Sequence, residues 1–251
     1  MAPAHACQEV AMETLMVRVR TASAALEADL TIPDDTRGVV LFAHGSGSSR
    51  HSPRNRMVAQ RLRGAGFATM LADLLTADEE RHDTVTAALR FDIGLLARRV
   101  VAAVDWLRGE PATARLPLGL FGASTGAAAA LAAAAYRPEA VHAVVSRGGR
   151  PDLAGESLPL VRAPTLLIVG ERDELVSRLN QRAAARLRVV HALQTVAGAT
   201  HLFEEPGALE QVAGWAAEWF DRYLAGGDLA LDGLVGPDNE HGRPRKGDGD
   251  A

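Results

Sequence analysis

The chain has 251 residues, 47% of them hydrophobic and 23% charged, with a formal net charge of −4. This composition is typical of a globular domain, and it excludes the clustered basic excess that a nucleic-acid surface needs. No apolar run reaches the ~20 residues that span a bilayer, and the N-terminus lacks the basic start and apolar core of a signal peptide. We therefore expect a cytoplasmic protein that binds neither nucleic acid nor membrane. A single cysteine, Cys7, cannot form an internal disulfide.

Strands and helices alternate along the chain. Residues 12–20 and 25–32 alternate apolar and polar side chains, which predicts two strands in an antiparallel edge hairpin. Residues 38–43 are continuously apolar, as in a strand buried on both faces of a parallel sheet. Further strands are predicted at 67–75, 118–123, 141–145, 165–169 and 191–196, and helices at 54–64, 90–108, 127–136, 177–188 and 206–224.

This alternation predicts an α/β fold with a mostly parallel twisted sheet flanked by helices. Right-handed crossovers bring the loops that follow the strands to one edge, where sites form. The chain between 141–145 and 165–169 is too short to build a helical cap, so we expect an open site without a cap domain. We predict one domain over 12–225, a flexible N-terminus at 1–11, and a mostly disordered tail at 226–251, which has few apolar residues.

The strand at 118–123 runs into Gly122-Ala123-Ser124-Thr125-Gly126 and then directly into an alanine-rich helix. A nucleophile elbow requires this strand, turn and helix context. The two glycines leave room for the tight turn, which exposes the Ser124 hydroxyl at the N-terminal dipole of the helix. The five residues alone also fit an ordinary turn with a buried serine. The prediction that Ser124 is a nucleophile therefore depends on the rest of the chain.

A serine nucleophile needs a base and an acid that orients it, and in this arrangement the acid precedes the histidine. We choose Asp173 as the acid, because it follows the strand at 165–169 at the edge where Ser124 is expected. Three other acids remain open alternatives: Glu171, Glu174 and Asp152.

We choose His201 as the base, because it lies in a short loop just after the last strand, from which a side chain can reach across the sheet edge. The other histidines fit less well. His191 and His142 lie in predicted strands, and His5, His51 and His82 precede the elbow.

Backbone N–H groups should stabilise the oxyanion of the reaction. Thr125 follows the nucleophile and supplies one donor. The second donor is expected in the loop after the first buried strand, from Ser46 or alternatively Gly45. His44 is predicted to brace that loop.

Two arginine-bearing loops, 50–56 and 146–150, are expected at the same edge. Arg54 and Arg147, together with Gly45, are therefore candidate substrate-binding residues for an anionic substrate. Solvated surface arginines are the favoured alternative, because arginine is mostly exposed in proteins.

On these motifs the chain resembles the α/β-hydrolases and, within that fold, the dienelactone-hydrolase-like group. The resemblance covers residues 17–224 and implies a Ser124–Asp173–His201 triad with esterase-like hydrolysis. True dienelactone hydrolases carry cysteine at the elbow, whereas this chain has serine, which favours a general carboxylic-ester hydrolase. Four segments carry the resemblance: 42–47, 122–126, 170–173 and 198–201.

We therefore predict a serine hydrolase that cleaves a small-molecule carboxylic ester, thioester or lactone through an acyl-enzyme on Ser124, with no metal or organic cofactor. Two alternatives remain open: a ligand-binding protein on a hydrolase scaffold, and an acyltransferase with the same triad. No oligomeric state is predicted.

Overall fold

The computed structural model describes residues 13–226. Within this range the chain forms eight strands: β1 (Thr14–Arg20), β2 (Ala25–Thr31), β3 (Gly38–Ala43), β4 (Phe67–Ala72), β5 (Leu118–Ala123), β6 (Val141–Arg147), β7 (Thr165–Gly170) and β8 (His191–Val196). The α-helices of the same range are α1 (Pro53–Gly64), α2 (Ala77–Thr86), α3 (Ile93–Gly109), α4 (Thr125–Tyr136), α5 (Glu174–Ala184) and α6 (Ala208–Leu224). The predicted flexible N-terminus and disordered tail lie outside the described residues, except for Gly226, so both stay predictions.

The strands form one sheet in the order β1-β2-β4-β3-β5-β6-β7-β8. β1 pairs antiparallel with β2, and β2 with β4, whereas the pairs from β4 to β8 are parallel. The predicted mostly parallel sheet with an antiparallel hairpin at its N-terminal edge is therefore confirmed. Between β6 and β7 the chain forms only a 3₁₀ segment, Pro151–Leu160, interrupted at Gly155, as the expected absence of a cap domain requires.

Helices cover both faces of the sheet and bury its central strands. Every residue of β3, β4 and β5 is buried, and apart from Thr69 of β4 their sequences are apolar, as in strands covered on both faces. α3 and α4 pack on one face, and α1 and α6 pack on the other. The buried alanines of α4 let this helix lie close to the sheet.

Helix α2 is absent from the sequence-based prediction. It is polar around its circumference, with Asp83 as its buried residue, so it has no apolar periodicity. Its start is a capping box, in which Thr76 Oγ1 accepts from Glu79 N–H and Glu79 Oε2 accepts from Thr76 N–H. The buried Arg99 of α3 binds both carboxylate oxygens of Glu79, at 2.5 and 2.6 Å. Ionic and capping contacts therefore hold α2, rather than an apolar stripe.

None of the described helices is both long enough and apolar enough to cross a membrane.

Candidate active site

Ser124 lies at the sharp turn between β5 and α4. Its backbone angles are φ 51° and ψ −123°, a conformation that costs a non-glycine residue energy and persists only when its surroundings enforce it. Hydrogen bonds on both sides supply that restraint: Ser124 N–H donates to Arg147 O (3.2 Å), and Arg150 N–H donates to Ser124 O (3.0 Å). The elbow is therefore anchored to the end of β6, and the half-buried Ser124 lies at the carboxyl edge of the sheet.

The loop after β3 lies directly against this turn. A Cβ on Gly126 would collide with the carbonyl oxygens of Ala43 and His44, so α4 begins in contact with that loop. A Cβ on Gly45 would lie 2.8 Å from Ser124 Cβ. The predicted oxyanion loop and the predicted nucleophile are therefore neighbours, and glycine is required where they touch.

The loops after β7 and β8 bring Asp173 and His201 together. His201 Nδ1 and Asp173 Oδ2 are 2.6 Å apart, and the Asp173 side chain is 15% exposed against 39% for His201. Arg172 N–H donates to Ala199 O at 2.9 Å and joins the two loops. A carboxylate that accepts from Nδ1–H fixes the imidazole tautomer and leaves Nε2 available for a proton. Within residues 13–226, no hydrogen bond is found between His201 and Ser124 Oγ.

The three alternative acids have other partners. Glu171 accepts from Gly198 N–H (2.6 Å), Glu174 pairs with Arg178, and Asp152 pairs with Arg150 at 2.8 and 2.9 Å. Two alternative histidines bond to backbone groups of strands or their flanks: His191 Nδ1 lies 2.9 Å from Val189 O, and His142 Nδ1 accepts from Leu118 N–H. These contacts favour Asp173 and His201 as the acid and the base.

The two predicted oxyanion residues contact each other. Thr125 is the first residue of α4, so its N–H has no acceptor within the helix. Ser46 N–H donates to Thr125 Oγ1 at 3.1 Å, and the two hydroxyls are 3.0 Å apart. No pattern in the sequence indicates this use of the Thr125 side chain. An oxyanion that binds Ser46 N–H must therefore share this donor with the Thr125 hydroxyl or displace the hydroxyl from it.

A cavity of about 390 Å³ lies beside these donors. It is bounded by the loop 44–48, by Thr125 and by side chains of α2, including Asp83. Asp83 binds Arg90 Nε at 2.6 Å, and Arg90 O in turn accepts from Ser46 Oγ at 3.3 Å. The cavity wall is thus connected to the loop that carries Ser46. Within residues 13–226, no three His, Cys, Asp or Glu side chains are grouped as metal ligands.

His44 has the bracing position expected from the sequence. Its ring is buried, its Nε2 accepts from Leu74 N–H (3.0 Å), and its Nδ1–H donates to Gly45 O (3.0 Å). Burial lowers its pKa below the ordinary 6.5, although the bond to Gly45 and the charges of Asp73 and Glu80 act in the opposite direction. The folded protein therefore holds His44 neutral.

This gives a prediction for acid stability. The unfolded chain binds a proton at His44 more readily than the folded protein, so the free energy of unfolding should decrease as the pH falls below about 6.5. We expect the Tm of the wild type to decrease more steeply between about pH 7 and pH 5 than that of His44→Gln, which keeps a donor and an acceptor without the titration. Parallel Tm profiles, measured calorimetrically, would contradict this role.

The two candidate substrate-binding arginines differ in their surroundings. Arg54, in the first turn of α1, is partly exposed and pairs with Glu204 at 3.2 Å. Arg147, the last residue of β6, is only 8% exposed. The favoured expectation of a solvated surface arginine is therefore wrong for Arg147. The reason is that β6 continues two residues beyond its predicted end, so Arg147 shares a covered sheet face with Val145.

The family model described as "Dienelactone hydrolase family" matches residues 26–224. Two curated Mycobacterium tuberculosis proteins, from strains CDC 1551 / Oshkosh and ATCC 25618 / H37Rv, are 59% identical over 210 residues, which is 84% of this chain and 46% of each relative. Both are named "Putative phosphoribosyl transferase". The chain thus spans about half the length of the curated relatives it matches.

Two solved structures extend this comparison. A crystal structure of a dienelactone hydrolase from Anabaena variabilis ATCC 29413 is 57% identical, with a TM-score of 0.83, and the match covers 85% of this chain and 99% of that one. Est1E from Butyrivibrio proteoclasticus is 16% identical with a TM-score of 0.71, covering 84% and 99%. At that identity the likeness to Est1E shows the shared fold alone.

Proposed function

Because the chain belongs to the dienelactone hydrolase family, we propose that it is a serine hydrolase that cleaves carboxylic esters, thioesters or lactones of small molecules through an acyl-enzyme on Ser124. The family and the fold support a hydrolase. The contact of 2.6 Å between His201 and Asp173, at the sheet edge where the elbow presents Ser124, carries the finer proposal. The transferase name belongs to relatives of which less than half is matched, so it supplies no activity to this chain.

In the proposed mechanism His201 Nε2 takes the Ser124 proton as Oγ attacks the ester carbonyl. Asp173 holds the imidazole in the required tautomer and stabilises the imidazolium that forms. The N–H groups of Thr125 and Ser46 bind the oxyanion, and His201 then protonates the leaving alcohol. Water, deprotonated by His201, attacks the acyl-enzyme and releases the acid. A hydrogen bond between a catalytic base and its nucleophile, here His201 and Ser124, often tightens only once substrate is bound.

A fluorophosphonate probe tests this proposal without knowledge of the substrate, because it phosphonylates activated serines. Mass spectrometry of the digested protein should find the probe on the peptide that contains Ser124. We expect labelling to be lost in His201→Ala, which removes the base, and retained in His191→Ala, a matched change of a histidine on β8. An unlabelled but folded wild type would favour a binding protein on this scaffold.

If Ser124 is labelled, product analysis separates hydrolysis from acyl transfer. Hydrolysis releases the free acid in water alone. An acyltransferase would release the acid slowly in water alone, and its turnover of the acyl-enzyme would accelerate when a second nucleophile is added.

A further inference from the structure

Asn180 of α5 is a buried polar side chain that has no part in the mechanism above. We propose that it is a positioning residue for the reaction. Its amide ties the helix that follows Asp173 to the loop that holds the backbone of Ser124, and it thereby fixes the acid and the nucleophile relative to each other. The inference rests on the proposed function, because it concerns the same serine hydrolase site.

The first observation is the pair of hydrogen bonds that the Asn180 amide donates. The residue is completely buried, with 0% of its surface exposed. Its Nδ2 donates to Val176 O at 2.8 Å, within α5, and to Gly149 O at 2.9 Å, in the loop after β6. Because Gly149 and Asn180 are 31 positions apart in the sequence, the second bond joins two separate parts of the chain.

The second observation concerns the other atom of the same amide. Asn180 Oδ1 is buried and has no hydrogen-bond partner among the described residues. A buried acceptor without a partner lowers stability, and a leucine of similar size carries no such atom. Asparagine therefore contributes through its two donations. A serine can bond the carbonyl four residues earlier in a helix, so the bond to Gly149 O is the one that needs the longer amide.

The loop that accepts this bond holds Ser124 on both sides. Ser124 N–H donates to Arg147 O at 3.2 Å, and Arg150 N–H donates to Ser124 O at 3.0 Å. Gly149 lies between these two contacts and has no free space, since a Cβ there would lie 2.7 Å from Ala127 Cβ on α4. A displacement of the Gly149 carbonyl therefore reaches the backbone of Ser124, whose φ of 51° persists only under restraint.

The helix that donates this bond begins directly after the proposed acid. Asp173 occupies the position before α5, and its carbonyl accepts from Ser177 N–H at 2.8 Å in the first turn. Asn180 lies one turn further along, so its bond to the loop holds the start of α5 in place. Asp173 and Ser124 are thus connected through α5, one amide and the loop 147–150, in addition to any connection through the base.

Steady-state kinetics of two variants on a para-nitrophenyl ester test the proposal. Asn180→Leu keeps the volume and removes both donations, whereas Asn180→Ser keeps a donor for Val176 O but is too short to reach Gly149 O. In both variants we expect kcat to fall about 10- to 100-fold, as when a reacting group is displaced by about 1 Å, with KM changed less than about threefold. Asn180→Ser is the smaller change and remains informative if Asn180→Leu folds poorly.

Leu187→Ala is the matched control for a loss of packing alone. Leu187 follows α5, is 5% exposed and belongs to the hydrophobic core, so its truncation removes apolar contacts but no hydrogen bond. We expect this variant to have a lower Tm and a wild-type kcat well below that Tm. If the Asn180 variants also have a lower Tm with a wild-type kcat, Asn180 serves folding alone and the proposal is overturned.

Hydrogen exchange measured by mass spectrometry tests the route through the loop. The amides of residues 147–153 include Arg150 N–H, which bonds Ser124 O. They should exchange faster in Asn180→Leu and Asn180→Ser than in the wild type, and at the wild-type rate in Leu187→Ala. A loss of kcat with unchanged exchange in this segment would contradict the proposed connection.

Fluorophosphonate labelling of the same samples keeps the two proposals apart. A wild type that is labelled at Ser124 and active, with Asn180 variants that keep its kcat, overturns the positioning role and leaves the serine hydrolase standing. A folded wild type that is neither labelled nor active on the ester overturns both.

Discussion

Ser124→Ala is expected to lower kcat/KM for ester hydrolysis by about 10⁴- to 10⁶-fold, the range for removal of a serine nucleophile whose base and oxyanion donors remain. The loss is large because no covalent acyl-enzyme can form without Ser124 Oγ. Steady-state kinetics on a para-nitrophenyl ester measure the loss. Ser177→Ala, on α5 and outside the site, serves as the control and should retain the wild-type rate. A Ser124→Ala enzyme within tenfold of the wild type would contradict a nucleophilic role.

A second variant at this position separates catalysis from backbone strain. Glycine tolerates the φ of 51° at Ser124 better than any other residue. Ser124→Gly should therefore be as inactive as Ser124→Ala, yet have the higher Tm, the reverse of the usual order for glycine and alanine. If the alanine variant melts higher, the elbow holds no strain of this kind.

The fold follows closely from periodicity. β3 begins and ends at its predicted residues, because a continuously apolar run bounded by turns has little freedom of assignment. α2 could not be found in this way, since tertiary ion pairs replace its apolar face. Its signal is the spacing of Thr76 and Glu79, a capping box. α5 begins at Glu174 rather than at 177, with Asp173 in the position before the helix.

The sequence predicts those parts of the site that depend on the order of strands and loops along the chain. Asp173 and His201 each follow a parallel strand, and neighbouring strands bring their loops together, so their contact is predictable. The pairing of Ser46 with the Thr125 hydroxyl joins residues 79 positions apart, and no local pattern indicates it. The burial of Arg147 depends on two residues at the end of β6. A strand that ended at Val145 would have left Arg147 in a solvated loop.

Asp173→Asn is expected to lower kcat/KM by about 10³- to 10⁴-fold with little change in KM, as in other serine–histidine–aspartate sites. An amide can donate to His201 Nδ1, and this favours the tautomer with its proton on Nε2, which cannot accept the Ser124 proton. The rate of fluorophosphonate labelling should decrease in parallel, because it depends on the same proton transfer.

Asp152→Asn is the matched control, because Asp152 is an acid of the neighbouring loop that pairs with Arg150 instead of a histidine. The kcat/KM of Asp152→Asn should stay within a few-fold of the wild-type value, as expected for a carboxylate outside the proton-transfer chain. Glu171→Gln removes the charge of an alternative acid, whose carboxylate accepts from Gly198 N–H. If Glu171→Gln rather than Asp173→Asn lost activity, the acid would be misassigned although Ser124 and His201 kept their roles. Loss in Asp173→Asn alone would instead tie the contact of 2.6 Å to catalysis.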